Sequence, residues 1–164
     1  MTIINIEYLP QIRARYKDIK IVFCSGSFDL THAGHLLFFE DCKKFGEILV
    51  VSIGSDASIR TLKGENRPIL NECIRTKTID SLKPVDYCFL DRISNKENPN
   101  GILEFTFKYL KPDIYAINED AFDIPYRENL CKKYNINLVI LKRWFPPEFE
   151  GISTSKIIEK IKKL

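Results

Sequence analysis

The chain has 164 residues, 45% of them hydrophobic and 29% charged, the balance of an ordinary soluble globular protein long enough to bury a sizeable core. A net charge of +3 is too small to argue for nucleic acid, and no apolar stretch approaches a membrane span. The N-terminus lacks the basic region and long apolar run of a secretory signal, and the five cysteines (Cys24, Cys42, Cys73, Cys88 and Cys131) are odd in number and widely spaced, so they read as reduced thiols in a cytoplasmic protein.

Ile6 to Lys17 mixes apolar residues with Arg13, Arg15 and Lys17 and predicts an amphipathic helix, a packing or oligomer element whose first half Pro10 weakens. Ile21-Val22-Phe23-Cys24 reads as a buried strand, and the apolar residues after His35 recur at helical spacing. Between them, Ser25-Gly26-Ser27-Phe28-Asp29-Leu30-Thr31-His32-Ala33-Gly34-His35 forms a tight turn and a helix start. Gly26 is expected to supply an unusual backbone angle, and Gly34 to remove a side chain where a ligand approaches the first helical turn. Free backbone N–H groups backed by the positive end of a helix dipole make such a turn an anion cradle. His32 and His35, the only two histidines, stand at i and i+3 on one helical face and can reach the same phosphate; capping or solvent exposure is the plainer alternative. A zinc site joining them to Cys24 lacks ligand spacing.

Gly46 is expected to cap the helix that runs to Phe45, and Ile48 to Ile53 reads as a second buried strand. Gly54-Ser55-Asp56 ends that strand, Ala57 to Leu62 makes a short helix, and Lys63-Gly64-Glu65-Asn66-Arg67-Pro68 is a turn-rich loop carrying two cations. Ligands of open α/β sheets lie beyond the carboxyl ends of the strands, so Lys63 and Arg67 can reach a triphosphate held at the histidines; a solvated basic loop is the alternative. Asn71 is placed to cap a helix running through Arg75 to Leu82, ended by Pro84, and Val85 to Leu90 makes a third strand. Asp91 to Asn100 reads as a polar surface loop, Ile102 to Leu110 as a helix, and Ile114 to Ile117 as a fourth strand closed by Asn118-Glu119-Asp120. An acid in the position of Asp120 suits a ribose hydroxyl, a base amino group, a metal or a helix cap.

Pro125 to Tyr134 makes another helix, and Leu138 to Leu141 a fifth strand followed by Arg143. Trp144 to Gly151 is aromatic, proline-rich and acidic, a loop suited to walling a pocket or making a partner surface. The last helix opens at Ile152-Ser153-Thr154-Ser155-Lys156-Ile157, where the three hydroxyls of Ser153, Thr154 and Ser155 exceed what one cap requires and suit a second phosphate-binding helix start. Five strands alternating with helices predict an α/β fold, a single doubly wound parallel sheet of Rossmann-like type with helices on both faces. The length predicts one domain over residues 1–164, with residues 1–18 as a helical extension.

The run Gly26-Ser27-Phe28-Asp29, the following His32-Ala33-Gly34-His35 and the late Ile152-Ser153-Thr154-Ser155-Lys156-Ile157 together resemble the cytidylyltransferase-like nucleotidyltransferase superfamily, in the same chain order. Leu62-Lys63-Gly64-Glu65-Asn66-Arg67-Pro68 and the spacing to Arg75 resemble its bacterial heptose-phosphate adenylyltransferase domain, and the resemblance runs from Lys20 to Lys163. It implies transfer of AMP from ATP, with Mg2+, to a sugar phosphate such as a heptose 1-phosphate, releasing pyrophosphate. His32 and His35 are then donors to the reacting phosphoryl oxygens, and Lys63 and Arg67 bind acceptor phosphate or leaving pyrophosphate. Ser153, Thr154 and Ser155 hold β- and γ-phosphate oxygens, and Gly26, Ser27, Phe28, Gly34, Asp120 and Arg143 complete the nucleotide-binding set. Relatives are commonly homodimers, and the heptose enzymes often carry a kinase domain, whose absence here implies a separate kinase. Three features depart from relatives: Asn118 and Glu119 where a glycine often precedes the strand-end acid, Cys73 at an often acidic position, and the longer loop from Trp144, although Glu150-Gly151-Ile152-Ser153-Thr154 resembles glycerol-phosphate cytidylyltransferases. The alternatives are a CTP-dependent cytidylyltransferase using glycerol 3-phosphate or another phospho-alcohol, an adenylyltransferase of the flavin-adenine dinucleotide synthetase type, and a non-catalytic nucleotide sensor.

Overall fold

Strands that are apolar on both faces need helices above and below them, and the chain supplies these in strict alternation. The structure, a computed structural model, describes residues 3–149 and 151–164. A short 3-10 turn at residues 6–8 leads into α1 (Leu9–Arg15), and β1 (Ile21–Gly26), α2 (Ala33–Lys43) and β2 (Ile48–Gly54) follow. Next come α3 (Asp56–Lys63), α4 (Glu72–Asp80), β3 (Tyr87–Asp91), α5 (Gly101–Tyr109), β4 (Ile114–Asn118), α6 (Ile124–Tyr134), β5 (Asn137–Leu141) and α7 (Thr154–Ile161). The sheet order is β3-β2-β1-β4-β5 and all pairings are parallel. The doubly wound α/β fold expected from the alternation is therefore present. The order reverses between β1 and β4, and the crevice at that switch point is where such sheets bind ligands.

Alternate strand residues serve two cores. Ile21, Phe23, Val50, Phe89, Tyr115 and Ile117 pack under α1, α5 and α6, through Leu9, Ile12, Leu103, Phe107 and Leu130. Val22, Cys24, Leu49, Val51, Cys88 and Ala116 pack on the other face, against Phe38, Phe39 and Cys42 of α2 and Ile79 of α4. Four of the five cysteines are buried and all five are unpaired thiols. Among the described residues no helix is long and apolar enough to cross a membrane.

Several local expectations shift. Pro10 does not weaken the first helix; it lies in the first turn of α1, where its missing N–H is an orphan in any case, and the residues before it form the 3-10 turn. The extension packs into the core through Leu9 and Ile12, and Ile4 donates its amide to Cys88 O, so the N-terminal segment covers the outer edge of β3. Gly46 is not the helix cap. Lys44 closes α2, and Gly46 is small because a Cβ there would lie 2.8 Å from Lys20 O. Helix α4 opens at Glu72 behind the expected cap, Asn71 Oδ1 accepting from the Ile74 amide, and ends at Asp80, short of Leu82. Helix α7 starts at Thr154, and the loop from Trp144 is non-helical through Phe149; Glu150, part of the run resembling the glycerol-phosphate enzymes, lies outside the described residues.

Candidate active site

The turn after β1 sets the site. Gly26 does not carry the unusual backbone angle expected of it; the left-handed conformations fall on Phe28 (φ 46°) and Leu30 (φ 47°). A Cβ on Gly26 would stand 2.9 Å from the Phe28 ring, so this glycine makes room for the ring that the left-handed turn folds back over the strand end. Between the two strained residues lies Asp29, with 1% of its surface exposed. Its Oδ2 accepts from the Ile69 amide (2.9 Å) and from Arg67 Nε (3.0 Å), its Oδ1 accepts from the Leu70 amide (3.0 Å), and its own carbonyl accepts from Thr154 Oγ1 (2.8 Å). Burial alone would raise the Asp29 carboxyl, but the Leu70 and Ile69 amides and Arg67 outweigh it and hold the group below the ordinary aspartate value. Asp29 thus joins the turn to the cationic loop through its buried carboxylate and to the start of α7 through its carbonyl.

A second wire runs beneath it. Arg75, fully buried in α4, donates from Nη1 to Ser27 O (2.7 Å), from Nε to Leu70 O (2.9 Å) and from Nη2 to Asp56 Oδ1 (2.8 Å).

The histidines differ from the simple i, i+3 picture. His32 is extended and is the N-cap of α2, and His35 is the third helical residue, so together they form a capping box built from imidazoles. His32 Nδ1 accepts from the Gly34 amide (3.1 Å) and His35 Nδ1 accepts from the His32 amide (3.3 Å). With each Nδ1 occupied as an acceptor, the proton of each neutral ring sits on Nε2, which is left as a donor toward the cavity both residues line. The rings lie 4.0 Å apart between centroids. Burial pushes His35 down to about 3, with His32, Arg143 and Lys63 adding to the effect, and His32 is lowered by burial and Arg143, so both rings are neutral at pH 7. Gly34 matters differently from the expectation: a Cβ there would meet His32 Cε1 at 3.0 Å and Phe145 Cε1 at 3.2 Å, so the missing side chain seats the first histidine and the aromatic loop.

Lys63, the last residue of α3, donates to Ser27 Oγ (2.9 Å), and burial and nearby Arg67 lower its affinity for a proton. Arg67 is held against Asp29 rather than free in a solvated loop. At the other lip Arg143 Nη2 pairs with Asp120 Oδ2 (2.9 Å), and the helix-cap reading of that strand-end acid falls because Asp123 caps α6. Of the three late hydroxyls, Ser153 caps α7 by accepting from the Lys156 amide and Thr154 donates to Asp29 O, while Ser155 makes no hydrogen bond through its hydroxyl within the described residues. Trp144 Nε1 donates to Asp41 Oδ2 of α2 (2.9 Å), tying the aromatic loop down beside the histidines.

All of these groups border one cavity of about 770 Å³: the turn from Gly26 to Phe28, both histidines with Gly34, Lys63 and Arg67, Asp120 and Arg143, and the three late hydroxyls. Sequence reasoning missed the joining roles of Asp29 and Arg75 and the inner part of the cavity. The stretch read as a polar surface loop turns inward at both ends, because Asp91, Ser94 and Asn100 are buried and border the same space. A usable signal existed for Asp91, an acid at a strand's carboxyl end like Asp120. Among the described residues no three His, Cys, Asp or Glu side chains gather as a metal cage.

The cytidylyltransferase-like family model matches residues 23–160, which span the turn, the cations and α7. The chain belongs to the cytidylyltransferase-like family. It is 38% identical over 149 residues to the bifunctional protein HldE of Campylobacter jejuni subsp. doylei, covering 90% of this chain and 29% of that protein. It is 39% identical over 145 residues to HldE of Helicobacter pylori strain 26695, covering 88% of this chain and 28% of the relative. The chain therefore spans under a third of the length of the curated relatives it matches. Among solved structures, the lipopolysaccharide core biosynthesis protein of Thermoplasma volcanium superposes with a TM-score of 0.63 at 29% identity, covering 78% of this chain and 98% of that one. A pantoate-beta-alanine ligase from Francisella tularensis, at 16% identity and a TM-score of 0.67 over all of this chain and 78% of its own, shares the fold. The family match takes in both wired turns, and it leaves α1 outside.

Proposed function

We propose that this cytidylyltransferase-like chain is a nucleotidyltransferase that moves AMP from ATP to a phosphorylated sugar such as a heptose 1-phosphate and releases pyrophosphate. The observation that carries the reading is the pair of neutral imidazoles whose Nδ1 atoms are pinned by backbone amides, flanked by Lys63 and Arg67 in one cavity. An acceptor phosphate oxygen forms a bond to the α-phosphorus of ATP while the bond from that phosphorus to the bridging oxygen breaks, and the electron pair leaves on pyrophosphate. No covalent enzyme intermediate is required, so the protein contributes position and charge.

His32 and His35 donate Nε2–H to oxygens that gain negative charge, and their neutrality lets them bind without demanding a proton first. Lys63 and Arg67 balance acceptor phosphate or departing pyrophosphate, and the start of α7 offers the Ser155 hydroxyl and helix amides to the outer phosphates. Magnesium, when bound, shields charge between the phosphates. Of the carboxylates that border the cavity, Asp41 is engaged by Lys44 and Trp144 and Asp120 by Arg143, while Asp91 keeps one open oxygen across the sheet, so a magnesium ion would be carried mainly by the nucleotide. ATP is favoured over CTP by the Lys63–Arg67 segment and by the identity to the HldE relatives.

The test is pyrophosphate release with magnesium, crossing ATP and CTP against heptose 1-phosphate, glycerol 3-phosphate and flavin mononucleotide. Turnover with ATP and the heptose phosphate is expected. Turnover confined to CTP or to the flavin moves the chain to another branch, and binding without any release leaves a nucleotide sensor.

A further inference from the structure

The cavity extends across the sheet to the face opposite α2. Ser25, Ser52 and Asp91 each stand two residues beyond a core residue of the α5 side, Phe23, Val50 and Phe89, so they continue that face toward the carboxyl edge. Ser25 pairs in register with Ser52, and its Oγ lies 3.1 Å from the hydroxyl of Tyr115, which Arg127 also contacts. Three members of this polar row are more than nine-tenths buried yet border the cavity: Ser52 at 1%, Asp91 at 4% and Asn100 at 8% exposure.

Their hydrogen bonding is incomplete. Asp91 Oδ1 accepts from the Ile93 and Ser94 amides (2.9 and 2.8 Å), but Oδ2 has no partner and no cation pairs with the group among the described residues. Asn100 stands at the N-cap of α5 without making a side-chain cap bond, and neither its amide group nor Ser52 Oγ has a partner among the described residues. These atoms are not sealed in the core but open to the cavity, and three side chains with unused hydrogen-bonding capacity facing one space mark a place where a ligand can pair with them. The sign of the charge says which part of a ligand. A carboxylate without a paired cation repels phosphate; Lys63, Arg67 and Arg143 lie toward the histidines, and Arg127, which borders the cavity on this side, is engaged by Tyr115 OH and the Phe122 carbonyl. A hydroxyl-rich neutral body suits Asp91 Oδ2 as acceptor and Ser52 and Asn100 as donor and acceptor.

We propose that Ser52, Asp91 and Asn100 form the subsite for the hydroxylated carbon skeleton of the acceptor, selecting a polyol phosphate over acceptors with flat apolar bodies. The inference rests on the nucleotidyl-transfer reading for its substrate and deepens it by naming the specificity residues. A planar apolar body entering here buries these groups without partners, and a site built to hydrogen-bond a hydroxyl discriminates strongly against a ligand lacking it.

Calorimetric titration of heptose 1-phosphate and of inorganic phosphate into the full chain tests the subsite. The wild type is expected to bind the sugar phosphate at least about tenfold more tightly than inorganic phosphate, the size of one or two good hydrogen bonds. Ser52→Ala and Asn100→Ala remove groups that hold nothing else in the fold, and each is expected to lose about three- to tenfold of that preference, with binding of inorganic phosphate unchanged. Asp91→Asn, which keeps the shape, should lose more, about tenfold to a hundredfold, because a charged acceptor is replaced. A wild type without the preference, or variants that keep it, would overturn the proposal. Preference present and lost in the variants, with no pyrophosphate released by the wild type, defeats the transfer reading alone.

Discussion

On the histidine side of the cavity the imidazoles and the cations are already held by the protein, whereas across the sheet the polar groups are left open. His32 and His35 each take a backbone amide, Lys63 rests on Ser27, and Arg67 rests on Asp29. Ser52, Asn100 and one oxygen of Asp91 have no such partners within the described residues. The contrast separates two tasks. Groups that stabilise a developing charge must not reorganise when the charge appears, so fixing them beforehand lowers the barrier. Groups that recognise a neutral body gain their selectivity from being unsatisfied until the right ligand arrives.

The wiring of the histidine side should break most visibly at Arg75. Arg75→Met retains much of the side chain's volume but leaves Asp56 and the carbonyls of Ser27 and Leu70 without their donor. Removing one partner of a buried pair typically costs about 3–5 kcal/mol, so the urea midpoint should fall steeply. An unchanged midpoint would show that the turn stands without this wire.

His35→Ala sharpens the comparison next, because it touches chemistry more than stability. Removing one preorganised donor costs about 10²- to 10³-fold in kcat, and turnover near the wild-type rate would remove the histidines from the reaction. The same residue gives a pH signature. Its folded value of about 3 lies below the 6.5 of the exposed ring, so the unfolded chain takes up the proton first as pH falls. The stability is complete above about pH 6.5 and declines toward pH 3, with Asp29 adding its own loss below about pH 3.8, its ordinary value. His35→Gln should flatten the upper part of that decline, read as urea midpoints from pH 7 to pH 4.

Much of the histidine side was legible because its residue types are dense and unusual: two histidines around a glycine, two cations on a turn, three hydroxyls at a helix start. The doubly wound sheet was legible from alternation, since apolar runs at strand length and helical spacing carry the packing directly. The joining residues were not. Asp29 and Arg75 act across 38 or more positions of chain, on Arg67 and Ser27, and nothing local in either segment announces the partner. The Asp91–Asn100 segment misled for a related reason: polar composition reads as surface, but here the ends are buried against a cavity and only the middle faces solvent. Glycine was misassigned at 26 and 46 because crowding by a neighbouring ring or carbonyl, rather than a positive φ, excludes the Cβ at both.

The aromatic loop offers the smallest expected effect and a direct optical report on which half the nucleotide occupies. Trp144 is the only tryptophan, half exposed, and it borders the cavity with its indole N–H on Asp41, while Phe145 lies over Gly34 beside His32. A nucleotide seated on the histidine side must change the surroundings of that indole, whereas a sugar phosphate held at Ser52 and Asp91 approaches from the opposite face. ATP should therefore shift or quench the emission, and heptose 1-phosphate alone should leave it nearly unchanged. Asp41→Ala removes the hydrogen bond that positions the ring, and since a neutral donor to a partly exposed carboxylate contributes about 0.5–1.5 kcal/mol, the Kd for ATP should rise about two- to tenfold. Equal responses to both ligands would erase the division between the halves, because a single indole on one lip cannot report two separate sites in the same way.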